Sequence, residues 1–315
     1  MTAAYHRLLL LFVDGIGLAA AGPDNPFSEL ELPTIERLLA GPLTGENTGS
    51  IAGTGAISGG RLSAIDATLG VDGLPQSATG QTTLFTGVNA AAELGRHVSA
   101  YPGPRLKRLI DRHGLLRRVV EGGRRATFAN AYSRRYLADL TAGRARASVT
   151  TYSVLSAGLG FRDEAALDRG EAVAWDITRT WFRQRSGSAV DEIHSELAGR
   201  QLAALARRHD LTLYETFLTD LAGHRRMEIM PAAALTRLDG LLAGLLAAAD
   251  DELTVVVTSD HGNLEDDSSR RHSRNPVPLL VLGPGAEAFS GCRSLVDVTP
   301  ALLAALRVTP TPSPT

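Results

Sequence analysis

The chain contains a single cysteine, Cys292, in 315 residues. One thiol excludes an intrachain disulfide framework and any Cys-rich zinc or iron–sulfur site. An excess of one charge is also missing. Lys plus Arg number 32 and Asp plus Glu 34, a net of −2, so the basic surplus of a dedicated nucleic-acid binder is absent. Lysine itself occurs once, as Lys107; every other basic residue is arginine, a bias that a GC-rich coding sequence is enough to explain. Long hydrophobic runs are lacking too. Leu8–Val13 is six residues long and stops at Asp14, short of the roughly 7–15 residues of a signal-peptide core. Leu241–Ala249 is too short to span a bilayer. The expectation is a soluble cytoplasmic protein, with neither membrane nor nucleic acid as partner. No internal repeat is visible, and oligomeric state is not legible.

Hydrophobic residues make up 44% of the chain and charged residues 21%, ordinary values for a globular enzyme with a full core. The length fits about two domains or one large one. Short apolar runs read as strands at Leu8–Val13, Ala126–Ala129, Leu211–Leu218, Leu253–Thr258 and Val277–Leu282. Helical patterns lie between them, at Thr34–Leu39, Arg105–Val120, Glu192–Arg208, Ala232–Ala249 and Val298–Leu306. Continuously apolar strands alternating with amphipathic helices predict an α/β fold: a doubly wound, mostly parallel central sheet with helices on both faces. One domain over 1–308 is expected. Residues 132–188, polar, Arg-dotted and weakly periodic, are the candidate for a small or reduced cap. The Gly/Thr/Ser-rich stretch 41–60 reads as a surface loop or hairpin, and the Pro/Thr-rich tail 309–315 as disordered.

Asp14 ends the first apolar run and is followed by Gly15 and Gly17. Ligands of open α/β sheets bind at the carboxyl ends of strands. One such Asp, taken alone, is better read as a turn former. The pattern recurs, however: Asp220 follows Phe217–Leu218–Thr219, and Asp260 follows Val255–Ser259. Carboxylates gathered on one edge make a strongly negative pocket unless cations neutralise it. His224 stands four residues after Asp220, one helical turn away on the same face. His261 adjoins Asp260, and His272 follows eleven residues later. A lone His is more often a packed or surface residue, but three His and three Asp at strand ends favour a metal site. Mixed imidazole and carboxylate donors suit Zn2+ or Mn2+ rather than Ca2+. Ser77, within Pro75–Gln81, sits where a loop passes into a predicted helix. In isolation that serine is better read as a cap. Beside a divalent cation its hydroxyl becomes a nucleophile, and free amides at the helix start can hold an anion.

These residues carry a resemblance. Val13–Asp14–Gly15–Ile16–Gly17 comes first, then Asn25–Pro26 with Pro33–Thr34, then Gln76–Ser77–Ala78–Thr79–Gly80. Thr219–Asp220–Leu221–Ala222–Gly223–His224 follows, then Ser259–Asp260–His261–Gly262–Asn263, with His272 before Asn275–Pro276–Val277–Pro278. The ordered set spans nearly the whole chain and resembles the alkaline phosphatase superfamily of metalloenzymes, in particular the branch with cofactor-independent phosphoglycerate mutase and phosphopentomutase. The resemblance implies two divalent cations, Mn2+ or Zn2+. One would be held by Asp220, His224 and His272; the other by Asp14, Asp260 and His261, with Ser77 as both ligand and nucleophile. Two cations about 4 Å apart clamp the attacking and leaving oxygens of an in-line displacement. A phosphoseryl enzyme is implied, relieved by water or by a second hydroxyl of the substrate. Asn263 would support the His261 loop, a role that a plain structural turn would equally explain.

Two departures bear on the reaction. The mutases carry a large capping domain, whereas only about half of this chain separates Ser77 from Asp220, part of it core. Gln81 also stands after Gly80 where the mutases typically carry His. A reduced cap exposes phosphoserine to water, so the first expectation is a phosphatase acting on a small phosphorylated metabolite. A phosphomutase is the alternative, and a non-catalytic metal-binding protein the second alternative; the intact Ser77 and six ligands stand against the latter. Sulfatase chemistry ranks low because Cys292 lies far from the nucleophile position. Candidate anion clamps are Arg274, with Arg270 and Arg271 near it, Arg96 with His97, and Arg134 with Arg135. The acidic run Glu265–Asp266–Asp267 is expected to be exposed and is left out of the metal count.

Overall fold

The structure, a computed structural model, describes residues 7–308. The tail 309–315, expected to be disordered, lies outside the described residues. Seven strands form one sheet: β1 (Arg7–Val13), β2 (Gly49–Ile51), β3 (Gly60–Ile65), β4 (Ala126–Phe128), β5 (Leu211–Thr216), β6 (Leu253–Thr258) and β7 (Val277–Leu282). Their spatial order is β2-β3-β7-β6-β1-β5-β4. β1 is flanked by β5 and β6, both parallel to it, and β4 extends the parallel run beyond β5. β7 is antiparallel to β6, β3 to β7 and β2 to β3. The sheet is thus mixed, a parallel half joined to an antiparallel one. No helix lies between β6 and β7; without a crossover the second strand returns antiparallel. The glycine-rich stretch supplies β2 and leads into β3, so part of it is sheet edge.

The alternation within β1 builds the two layers. Leu9, Leu11 and Val13 face one core, with the helices Pro33–Leu39, Ser195–Ala206 and Pro231–Ala248. Leu8, Leu10 and Phe12 face the other, with the helices Ser77–Thr86, Pro104–His113, Leu115–Glu121 and Leu295–Ala305. Successive side chains of a strand point to opposite faces, so a run apolar at every position must be covered on both. Phe12 meets Phe85 edge-on with ring centroids 5.4 Å apart, fixing the helix Ser77–Thr86 against the central strand.

Two helical expectations change. The pattern 105–120 is two helices, because Gly114 leaves the helical region with ψ 130°, ending the first and opening the second. The Leu/Ala run belongs to Pro231–Ala248, 18 residues, long and apolar enough to cross a membrane by length and composition only. Here its apolar side is core: Leu235, Leu238, Leu241 and Leu245 are buried. Asp239 of the same helix, also buried, accepts the Thr34 and Ile35 amides at 3.0 and 2.8 Å and so caps the helix Pro33–Leu39. Within 132–188 lie the helices Arg134–Thr141, Val149–Ser156, Glu164–Asp168 and Thr180–Ser186. Val149 and Val154 enter the second core and Phe182 the first.

Candidate metal centre

The three parallel strands at the centre of the sheet end side by side. The residue after β1 is Asp14, the helix after β5 (Leu218–Gly223) carries Asp220, and Asp260 lies two residues past β6. Backbone bonds stitch these ends together. The Asp14 amide donates to Thr216 O at 2.9 Å, the Leu264 amide to Gly15 O at 3.0 Å, and the Ile16 amide to Ser259 Oγ at 3.0 Å. The Thr219 hydroxyl donates to the Asp14 carbonyl. Gly15 has φ +74°, and a Cβ there would lie 2.9 Å from Asp220 Cα. Only glycine accepts both that backbone and that approach.

Ser77 is the first residue of its helix, with Gln76 as the N-cap. Ser77, Gly80 and Gln81 share one helical face. Gly80 lets that face close on the β6 loop, since a Cβ would stand 2.7 Å from the Asp260 carbonyl oxygen.

The six predicted Asp and His ligands fall into two triplets, the ligand atoms of each within 4.8 Å of one another. In the first, His224 Nε2 and His272 Nε2 are 3.0 Å apart, and Asp220 Oδ1 is 3.3 and 3.6 Å from them. His224 Nδ1 donates to the Arg270 carbonyl and His272 Nδ1 to the Pro75 carbonyl, each at 2.7 Å. A carbonyl only accepts, so each Nδ1 carries its hydrogen, and a ring in its neutral form turns a bare Nε2 lone pair inward. Two lone pairs and a carboxylate oxygen at these distances repel unless a cation lies among them.

In the second triplet, His261 Nε2 is 3.4 Å from Asp14 Oδ1, 3.5 Å from Asp260 Oδ2 and 3.1 Å from Ser77 Oγ. Asp14, Asp260 and His261 are buried. The Oδ1 atoms of Asp14 and Asp260 are buried without a hydrogen-bond partner, as a cation's ligands would be. The His261 and His272 rings stack with centroids 3.6 Å apart, joining the triplets. The donor set therefore fits two divalent cations.

The electrostatics agree. Burial, then the charges of Asp260 and Asp220, pushes the Asp14 carboxyl well above its ordinary range, and burial pushes Asp260 up and His261 down. Burial also acts to raise Asp220, but the His224 and His272 rings at its Oδ1 outweigh it and hold that carboxyl below the usual range. Asp220 in turn raises His224, favouring a proton on Nε2 where a metal ion would otherwise lie.

Two acids escaped the sequence reading. Glu215 in β5 is buried, accepts the Thr150 hydroxyl at 2.9 Å, and is pushed by burial up to about 7 even against that bond. Its signal was a carboxylate in register with Leu211 and Leu213 in a strand buried throughout. A carboxyl raised from 4.5 to about 7 by folding stabilises fully below pH 4.5, and that contribution is lost as pH rises through 7. Glu215→Gln keeps the oxygen for Thr150 and cannot ionise. The metal-free variant should match wild type at pH 4 and exceed it by about 2–3 kcal/mol at pH 8 in urea unfolding; equal stability at both values would contradict the burial argument. The second acid is Glu265. It is buried, contrary to the exposure expected of its acidic run, because it accepts the Gly17 and Asn263 amides at 2.7 and 2.8 Å, Asn275 Nδ2 at 3.1 Å and the Ser273 hydroxyl. It ties the β1 loop to the β6 loop. Asn263, also buried, donates from Nδ2 to Asp220 Oδ1 at 3.0 Å, so it touches a carboxylate of the first triplet directly.

The basic candidates do not gather in the same way. Arg134 pairs with Asp163 at 3.0 Å and with Glu164 at 3.8 Å. Arg96, Arg135 and Arg271 are exposed. Arg270 contributes its carbonyl to His224. His97 Nε2 lies 3.3 Å from the Val71 carbonyl, which makes it the protonated nitrogen and leaves Nδ1 a bare acceptor; burial, with the charge of Arg274 adding, keeps the ring neutral. A neutral acceptor is no anion clamp, so Arg274, exposed and close enough to act on His97, is the remaining basic candidate beside the His272 loop.

Residues 190–310 match the profile of the Metalloenzyme superfamily. A phosphopentomutase from Methylobacterium radiotolerans is 29% identical over 226 residues, 67% of this chain and 52% of that protein. A 2,3-bisphosphoglycerate-independent phosphoglycerate mutase from Legionella pneumophila is 30% identical over 129 residues, 38% of this chain and 25% of that one. The chain thus spans about half the length, or less, of these relatives. Among solved structures, the alkaline phosphatase of the Antarctic bacterium TAB5 aligns with TM-score 0.51 at 13% identity, covering 98% of this chain and 100% of that one. The resemblance to alkaline-phosphatase-like metalloenzymes and their mutase branch is borne out, and with it the α/β fold.

Proposed function

We propose that this chain, a relative of the phosphopentomutases and phosphoglycerate mutases with an alkaline-phosphatase-like fold, transfers a phosphoryl group of a small phosphorylated metabolite through Ser77. The observation that carries the proposal is the position of Ser77 Oγ, 3.1 Å from His261 Nε2 at the start of a helix whose face closes on the buried carboxylates. Asp220, His224 and His272 would hold one divalent cation, and Asp14, Asp260 and His261 the other, each Mn2+ or Zn2+ by donor type. Cations held there would lower the pKa of the serine hydroxyl and offset charge on the transferred group. Ser77 Oγ, its proton passing to solvent, attacks phosphorus; the Oγ–P bond forms as the bond to the leaving oxygen breaks, that oxygen takes up a proton from solvent, and the Ser77 and Ala78 amides at the start of the helix receive the phosphoryl oxygens. Arg274 is the basic side chain assigned to the substrate's anionic end.

The names of the relatives favour return of the phosphoryl group to a second substrate hydroxyl, the mutase reading, over the hydrolysis expected from the sequence. Hydrolysis keeps one specific support: within 132–188, the stretch expected to cap the site, Val149, Val154 and Phe182 are drawn into the two cores, leaving less protein to shield phosphoserine from water. Both readings share the Ser77 step. Incubation with ribose 1-phosphate, 3-phosphoglycerate and an aryl phosphate, each with Mn2+ or Zn2+, separates them. Isomerisation without free phosphate is the mutase result, and phosphate release from the aryl ester the hydrolase result. EDTA should stop either reaction and added cation restore it. Metal-loaded protein that reacts with none and never gains a phosphoryl adduct would end the proposal.

A further inference from the structure

Gln81 Nε2 lies 3.1 Å from Asp14 Oδ2 and 3.1 Å from Asp260 Oδ2, in a side chain that is 4% exposed. Both neighbours are acceptors, so the amide must present its NH2 group, one hydrogen to each carboxylate. The two aspartates stand at the ends of different strands, β1 and β6, and in a dry pocket their charges drive them apart. A lysine or arginine at position 81 would hold them but cancel the charge a cation needs. An apolar residue would leave the charge but release the oxygens. A neutral double donor does neither. It comes from the helix that presents Ser77, one turn later on the same face, so one rigid element aligns the nucleophile and both carboxylates.

Asp220, in the other triplet, is served separately, by Asn263 Nδ2 at 3.0 Å. No bond links Gln81 to that triplet among the described residues.

We propose that Gln81 is a positioning residue for one of the two cations: it ties Asp14 to Asp260 so that the Asp14–Asp260–His261 site is assembled before the ion arrives, and it does not serve the Asp220–His224–His272 site. The inference rests on the two-cation reading above, and it concerns affinity rather than turnover. Loss of a partner that orients metal ligands typically weakens binding 10–100-fold.

The test is calorimetric titration of the metal-stripped full chain with Mn2+, wild type beside Gln81→Leu and Gln81→Asn. Leucine fills much of the space without donors; asparagine keeps the amide but is one methylene too short to reach both carboxylates. Wild type should show two binding events. In Gln81→Leu one event should weaken by roughly 10–100-fold while the other is unchanged, and Gln81→Asn should weaken the same event less. Unchanged affinities in both variants would overturn the proposal, as would equal weakening of both events. Melting of the metal-free proteins checks that each variant folds, and Gln81→Asn carries the test should leucine not be tolerated. A wild type that takes up fewer than two Mn2+ overturns the proposal together with the two-cation reading. A wild type that binds two ions but never phosphorylates Ser77 ends the phosphoryl-transfer reading alone.

Discussion

Ser77→Ala should lower phosphoryl transfer by about 10^4-fold or more while leaving the fold and cation binding largely intact. The size of the loss follows from the role. If Oγ forms the bond to phosphorus, its removal leaves only the electrostatic part of the site, because water would have to replace a positioned hydroxyl. Retention of the fold follows from the helix. Ser77 is the first helical residue, not the cap, and its hydroxyl bonds no backbone amide, only His261 Nε2. Alanine has the highest helix propensity, so the exchange removes one half-buried contact and little else. Initial rates and intact-mass detection of the phosphoryl adduct check the chemistry; a melting curve checks the fold. Residual turnover near wild type would remove Ser77 as nucleophile. A collapsed melting temperature would mean that the serine holds the helix in place instead.

Much of this centre was legible because its ligands sit where the chain changes character. Asp14 directly follows, and Asp260 follows by two residues, a largely apolar run, and those runs are buried strands for the same reason that they are apolar: helices cover both faces. Asp220 and His224 were legible through helical spacing, which the helix Leu218–Gly223 supplies. What escaped was decided by neighbours distant in sequence. Gln81 reads as an ordinary helical residue until Asp14 and Asp260 arrive on either side of it. Glu265 lies in an acidic run that local pattern sends to solvent, yet the Gly17 amide of the β1 loop and the Asn263 amide of its own loop hold it inside. His97 was grouped with arginines by its type, and only the Val71 carbonyl settles its tautomer. Strand direction was hidden likewise: β7 has the apolar pattern of a central strand, and its antiparallel run is set by the helix-free loop that precedes it.

Asp260→Asn should reverse the order of stability depending on whether cation is present. Asp260 is buried, and burial raises its carboxyl above 3.8 in the folded protein. A raised carboxyl stabilises fully below its unfolded value, and that contribution is lost as pH rises through the folded one. As pH rises, the metal-free wild type therefore bears the cost of ionising a buried carboxyl beside Asp14, with Oδ1 of Asp260 unpartnered. Asparagine has nearly the same shape, keeps an oxygen for Gln81, and carries no charge. The metal-free variant should melt at or above the metal-free wild type. With Mn2+ the order inverts. Wild type should gain about 4 kcal/mol at a free concentration near a thousand times Kd, whereas the variant has lost a ligand charge and should gain little from the same site. Turnover should fall at least about 100-fold in parallel. Melting curves at pH 8, with and without Mn2+, read both halves. An equal cation-induced shift in the two proteins would show that Asp260 does not bind the ion, and a metal-free variant less stable than wild type would show that its carboxylate is held by the protein rather than by the metal.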